Sequence, residues 1–431
     1  MLLIHTQKPS PRIDYAFKHI CTRILGLKVE FTSVIESFIA HQGPKLSYGK
    51  QPMGNELFVQ AFGLLNQEGL EDVEISTAPW DGTIGFFPAG EKSALPFDIF
   101  AAAFYLLSRY EEYMPHVKDS MGRFPASHSL AAREAFLTQP VVDIWAYRFR
   151  DLLLERFPDI TFAPRHFQEQ HLVSAAIPYA YANRGFLRNF SGFFRDLGRF
   201  RLKEVVRRSQ VLLKLKKDPY DTFEWLIESL KSNAAKLFVF FRMGEGYTFG
   251  EDMNSKRENF RLLVKHIADY TEVGLLFSYH SLGNEERMKQ ERKTLEDLIH
   301  KELLYTMNDQ GVVNLPHYYR NLLEVEIPRD MTMVYADRLG FRAGTCTPFL
   351  FYDLDYEIKT PLVIHPIAGC TRSLHNLSPG EMDHEVAGLR EAVKAVDGTF
   401  SMRCSNQDFK DNNRHRRQLF SIPRYETRTD Q

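Results

Sequence analysis

The chain has 431 residues, 44% of them hydrophobic and 34 of them Phe, which is more core material than one ordinary domain uses. A formal net charge of -1 gives no global pull toward nucleic acid or an acidic partner. The four cysteines, Cys21, Cys346, Cys370 and Cys404, stand far apart without a CxxC pair. That pattern excludes a zinc ribbon and a disulfide framework and reads as reduced thiols.

The opening MLLIHTQKPSPR has a short apolar run and no small-residue cleavage site, so no signal peptide is expected. No stretch approaches the roughly 20 apolar residues of a membrane span. The expectation is a soluble, cytoplasmic protein.

In chain order, LLIHT reads as a strand, and Ile13, Phe17, Ile20 and Ile24 recur at helical spacing over about 11–25. KVEFTSV alternates as a strand. Residues 95–114 predict a helix whose Phe97, Phe100, Phe104 and Leu107 form one stripe for core packing. A further helix runs through VVDIWAYRFRDLLLERF and stops at Phe157-Pro158. The polar stretch PDITFAPRHFQEQ is expected to hold a domain boundary.

Beyond it, strand candidates are 172–176, 236–241, 273–279, 332–336, 362–366 and 398–404. Helical segments separate most of them. One begins near Pro219, and another opens on Ser378 and Glu381 as a capping box. Apolar strands with helical crossovers imply a mostly parallel sheet covered on both faces. The predicted fold class is therefore α/β, a distorted β/α barrel (166–407) preceded by a smaller α/β module (1–165). Residues 408–431 are expected to form a loosely held basic tail.

In such a barrel the chemistry sits at the carboxyl ends of the strands. Those positions hold Ser174 and Ala176, Arg242, His280, Arg342, His365, and Ser405 with Asn406. A mononuclear hydrolase wants carboxylates and imidazoles there, with one free carboxylate to take a proton from metal-bound water. The first strand end offers none. His280 reads more readily as a surface or hydrogen-bonded histidine than as a ligand. His365 either lines a pocket or is a satisfied core histidine, and His317 reads as capping or exposed. Two glycines bracket Arg342 in GFRAGTCTPF, giving a shaped loop that presents the guanidinium to a carboxylate or sugar hydroxyls. The plainer alternative pairs it with Asp353 or Asp355. Cys346 lacks a histidine tied to it by sequence, so a nucleophilic role is weakly supported. The run 193–217 carries nine Lys or Arg against two acidic residues, interleaved with Leu197, Phe200, Val205, Leu212 and Leu213. It reads as a solvated face or as a basic amphipathic segment for an anionic membrane surface.

The stretches EKSALPFDIFAAAFYLLSRYEEYMPHVKDSMGRFPASHSLA, QPVVDIWAYRFR, KKDPYDTFEWL and GFRAGTCTPFLFYDLDYE, with the following IHP, resemble the polysaccharide deacetylase (NodB-like) superfamily. The likeness is to its two-part bacterial members, and it covers most of the chain. It implies a barrel whose divalent metal is held by one Asp and two His, with a second Asp as base. The paired aspartates would fall near Ser174 and Ala176, and the histidines spaced four apart at Leu276 and His280. The late histidine would fall near Ser405 or Asn406. The resemblance thus implies a catalytically degenerate homologue without a cofactor, a pseudoenzyme of cell-surface polysaccharide metabolism. Its groove would keep His280, Arg342, Phe349, His365 and Tyr179, with Tyr181 and Tyr279 nearby, for a carbohydrate or a glycan-pathway enzyme. Two alternatives stand beside it. One is an active deacetylase holding one divalent metal such as zinc through His171, Asp309, His280 or His365. The other is a scaffold at the inner face of the membrane, docked through 193–217.

Overall fold

The computed structural model describes residues 1–232, 235–248, 251 and 254–413. Four short parallel strands form the first sheet, β1 (Leu2–His5), β2 (Val29–Thr32), β3 (Lys45–Gly49) and β4 (Leu57–Gln60), in the order β2-β1-β3-β4. A small hairpin, β5 (Thr77–Trp80) and β6 (Thr83–Phe86), follows it.

The larger sheet has nine strands: β7 (Gln168–Ala175), β8 (Lys236–Phe241), β9 (Glu272–Phe277), β10 (Tyr305–Asn308), β11 (Arg329–Asp330), β12 (Phe349–Asp353), β13 (Ile358–Ile364), β14 (Gly369–Cys370) and β15 (Thr399–Ser405). Their order is β12-β13-β11-β10-β9-β8-β7-β15-β14. Every neighbouring pair is parallel except β12–β13.

Three observations require this sheet to curl. Leu172, Phe238, Phe240, Leu276, Met307, Met331, Val334 and Ile367 make a core cluster of their own, which gathers strands from β7 to β11 onto one concave face. Arg403 of β15 donates to the carbonyls of Asn308 (3.1 Å) and Asp309 (2.8 Å) at the end of β10, four strands away. The chain also passes from β13 near one edge to β14 at the other through His365–Ala368 alone. Five Cα steps reach at most about 18 Å. The result is a curled half-barrel, consistent with a distorted barrel, whose ladder stays open between β13 and β14.

The outer core is continuous from Leu2 to Phe409 and ties the two sheets together. Arg12 Nε donates to Glu357 at 2.9 Å, and the Tyr15 hydroxyl donates to the Leu350 carbonyl at 2.7 Å. Within the helix Val141–Arg156, Asp143 accepts from the Thr345 hydroxyl (2.6 Å) and the Cys346 amide (3.0 Å). The glycines around Arg342 do what their spacing suggests. Gly340 has φ 133°, and a Cβ there would sit 2.4 Å from the Leu137 carbonyl oxygen. Gly344 has φ 63°, and a Cβ there would sit 2.7 Å from the Leu106 side chain.

Several elements differ from expectation. The first helix keeps α geometry over Pro11–Phe17 and then loosens into a π-helix over Lys18–Ile24. The helix expected at 95–114 spans Ile99–Leu107 and resumes at Tyr110, because Arg109 takes φ 55° to bury its guanidinium. Residues 332–336 are irregular; the Asp330 carboxylate accepts from the Thr332 amide (2.9 Å) and bends the chain out of β11. The tail expected from 408 begins later. Asp408 to Asn412 belong to the helical turns of Asn406–Asn412, which are kinked at Lys410 and Asp411; Phe409 is buried there and its ring lies 4.9 Å from Trp225. Residues 414–431 lie outside the described residues.

The capping box forms as read. Ser378 accepts from the Glu381 amide, and the Glu381 carboxylate accepts from the Ser378 amide at 2.8 Å. Ser378→Ala should lower stability by about 1 kcal/mol, read by urea denaturation. No change in the midpoint would show that the cap contributes nothing to the Pro379–Lys394 helix.

Candidate functional site

The concave face opens at the carboxyl ends of the strands into a cleft of about 420 Å³. Strand alternation decides what reaches it. On β15, Phe400, Met402 and Cys404 join the outer core, so Ser401, Arg403 and Ser405 face inward. The register sets Arg403 beside Leu172 and Ser405 beside Ser174 on β7. Ser174 and Ala176 therefore do line the cleft, where the resemblance expects two aspartates.

Around them stand Asp309, Thr371, Arg372, His375, Arg403, Ser405 and Asp408. Three acidic residues line the cleft, Glu251, Asp309 and Asp408, and the last two are engaged. Asp309 accepts from Arg242 at 2.8 Å, and Asp408 accepts from the Thr371 hydroxyl (2.6 Å) and the Ser405 amide (2.8 Å). Arg403 is held by two backbone carbonyls and, among the described residues, touches no carboxylate directly. Burial lowers its pKa, Asp309 opposes that, and the neighbouring Arg372 adds to the lowering. Arg372 itself is exposed. Two guanidiniums, a histidine and three acidic residues thus border a hydroxyl-lined cleft, which can hydrogen-bond a polyhydroxylated guest and pair an anionic group through the exposed Arg372.

The other expected groove residues lie elsewhere. Arg342 is buried, and its fork donates to Glu112 at 2.8 and 2.6 Å, so it faces neither the cleft nor Asp353 and Asp355. Arg320 takes both of those aspartates. Phe349 is buried in the outer core. His280 is exposed in the turn Tyr279–Ser281, its ring parallel to Tyr247 with centroids 6.1 Å apart. Leu276, four residues earlier, is sealed inside the concave core, so these two positions do not converge. His365 follows the carboxyl end of β13 and lies beside Tyr305, and it is not among the residues that line the cleft. Burial and the charge of Arg329 push its imidazole down to about 4. Tyr179 packs against the outer core and borders a different hollow with Asp218 and Phe223. Cys346 is buried, and burial together with Asp143 pushes its thiol far up, which disfavours the thiolate. His171 is buried within β7. His317 starts the helix His317–Glu324 as expected. Asn406 is buried and donates to the Ile177 and Tyr220 carbonyls, bracing the loop after β7.

The donor set at the mouth does not fit a divalent metal. Among the described residues no three His, Cys, Asp or Glu side chains gather closely enough to hold one, and Asp309 is already neutralised by Arg242. Sequence reasoning missed Arg403, Arg372, Thr371 and Asp408. The available signal was the one charged residue inside the apolar strand TFSMRC.

Residues 2–158 match the model of a family described as a family of unknown function (DUF7033). No curated protein matches the chain. A crystal structure from Mycobacterium smegmatis, named as a polysaccharide deacetylase, is similar at 12% identity and a TM-score of 0.38. The likeness covers 61% of this chain and 84% of that one. A superposition that loose transfers no chemistry, so the character of the cleft has to come from its own residues. Among the described residues no helix is long and apolar enough to cross a membrane.

Proposed function

We propose that the protein is a deacetylase-like binding protein, which holds a carbohydrate at the carboxyl ends of its curled sheet without hydrolysing it. The observation that carries this reading is the mouth itself. Ser174 and Ala176 line it at the positions where the resemblance expects a ligand and a base, and of the carboxylates around them Asp309 and Asp408 are committed to other partners, which leaves Glu251 at the rim. A base lost from such a site typically costs a factor of 10²–10⁴ in rate. The hydroxyls of Ser174, Ser405 and Thr371 suit sugar hydroxyls, and Arg403 with Arg372 suits a sugar carrying a carboxylate.

Calorimetric titration with neutral and uronic-acid oligosaccharides, beside an acetate-release assay on acetylated sugars with added zinc, tests this. The expected result is binding of the acidic oligosaccharide and no acetate. Arg372→Ala, at an exposed position, should weaken that binding about tenfold at unchanged melting temperature. Zinc-dependent acetate release would replace this reading with that of an active hydrolase. Absence of binding to every oligosaccharide would remove the carbohydrate.

A further inference from the structure

Between β7 and the helix Phe223–Ser232 the chain inserts two helices, Phe186–Gly198 and Leu202–Leu212. The root of this insertion is firmly built. The Asp218 carboxylate accepts the amides of Ala180, Tyr181 and Ala182 at 2.8 Å and that of Tyr220 at 3.0 Å. The Asn189 amide reaches back to the Tyr181 carbonyl at 2.9 Å.

The seam between the two helices is polar. Arg208 donates to Asp196 at 2.5 Å and to Asn189 at 3.3 Å, and its guanidinium lies so close over Gly192 that a Cβ there would come within 2.6 Å. With polar groups turned inward, the apolar ones face out. Phe190, Phe194 and Leu197 follow one another at helical spacing and are all exposed. Leu202 and Val206 do the same on the second helix, and Leu213 just past its end continues the row. Phe200, in the turn between them, is 89% exposed, and Leu215 is 72% exposed. Soluble surfaces scatter such residues singly; a row of them marks an interaction face.

The charge around that face has one sign. Residues 184–217 hold eleven Lys or Arg and only Asp196 and Glu204 as acids, while the whole chain nets -1. Both acids are already used, Asp196 by Arg208 and Glu204 by the Tyr181 hydroxyl. Exposed Arg199, Arg201 and Lys203 surround Phe200 at the turn, and exposed Lys214 and Lys216 alternate with the leucines at the far end. On the same insertion a hollow of about 900 Å³ is bordered by Arg188, Arg195, Arg201 and Lys203.

We infer that this insertion docks the protein on an anionic phospholipid surface. Phe194, Phe200, Leu202 and Val206 enter the boundary between headgroups and acyl chains, and the basic side chains at both ends take the phosphates. Apolar burial supplies part of the affinity, and each Lys or Arg near an anionic surface adds a comparable share. The inference does not depend on what the cleft binds.

The test is co-sedimentation of the full chain with vesicles of phosphatidylcholine alone or mixed with phosphatidylglycerol, at low and moderate salt. The wild type is expected to pellet with the anionic vesicles and to weaken as salt rises, while staying in solution with phosphatidylcholine. Phe194→Ser with Phe200→Ser should reduce partitioning more than about tenfold, as should Arg199→Glu with Arg201→Glu and Lys203→Glu. All five positions are exposed, so circular dichroism and melting of both variants should match the wild type. Failure to pellet with anionic vesicles at low salt overturns the inference. So does a serine variant that binds like wild type, which would reveal plain electrostatic adsorption. A wild type that dimerises in solution while the serine variant is monomeric also overturns it, making the apolar row a contact between copies.

Discussion

Glu112→Gln should destabilise the protein by about 3–5 kcal/mol, the largest loss expected from any single change considered. The Glu112 carboxylate accepts both arms of Arg342 and also Arg109 at 2.8 Å, with all three side chains buried. Burial pushes this carboxyl up, but Arg342 and Arg109 together pull it down further, to about 2. An amide in its place leaves two buried guanidiniums facing one neutral oxygen. Arg109 would keep Glu111 (2.7 Å) and Tyr335 (3.1 Å); Arg342 would keep only the Val334 carbonyl at 3.4 Å and the face of Tyr335. Against a typical total of 5–15 kcal/mol the loss would be plain in a urea midpoint. Removing the whole set together, as Glu112→Leu with Arg109→Met and Arg342→Met, should cost far less, because no charge is left stranded. A Glu112→Gln protein within about 1 kcal/mol of wild type would mean that Arg342 has another anionic partner, and its assignment as a brace would fall.

His19→Leu should make the protein less sensitive to acid by about 3 kcal/mol between pH 6.5 and 4. His19 is 2% exposed on the π-helix, its ring is edge-on to Phe349, and among the described residues neither ring nitrogen has a hydrogen-bond partner. Burial lowers its pKa to about 3; Asp143 opposes the shift, and Arg23 and Arg165 reinforce it. The unfolded chain takes up the proton near 6.5 and the folded one does not. The stability is therefore fully present above that pH and declines as pH falls toward 3. Each pH unit in the window costs about 1.4 kcal/mol. Leucine removes the titration, so the gap between variant and wild type should widen steadily from pH 6.5 downward. Parallel stability curves for the two proteins over that range would refute the account.

Much of the fold was legible because long apolar strands and capped helices announce themselves. LVSAA, KLFVFF, VGLLFSY and GTFSMRC hold β7, β8, β9 and β15, with β9 ending at Phe277, and Ser378 does start its helix. Shorter pieces such as β10 and β11, and the antiparallel β12 that follows GTCTP, carry too few residues for a period to show. The candidate site was less legible. Ser174 and Ala176 were recognised as strand-end positions and do line the cleft, whereas Arg342 and Phe349 were placed in a groove and are core. The reason is physical. A buried arginine and a presented one look alike until the partner is known, and Glu112 lies 230 positions away. Arg403 escaped notice because a charge inside an apolar strand reveals its purpose only when the sheet curls and brings Asn308 opposite.

That distance between partners also bears on how the chain is made. Arg12 waits 345 residues for Glu357, and Asp143 waits more than 200 for Thr345 and Cys346. A ribosome adds about 5–20 residues each second. The first 165 residues must therefore spend many seconds with Glu112, Asp143 and their apolar surroundings open to water and to other nascent chains. During synthesis this segment is an unfinished surface held for a partner still to be translated, and the contacts that complete it arrive from residue 342 onward and as late as Asp397, which accepts from the Tyr147 hydroxyl at 3.1 Å.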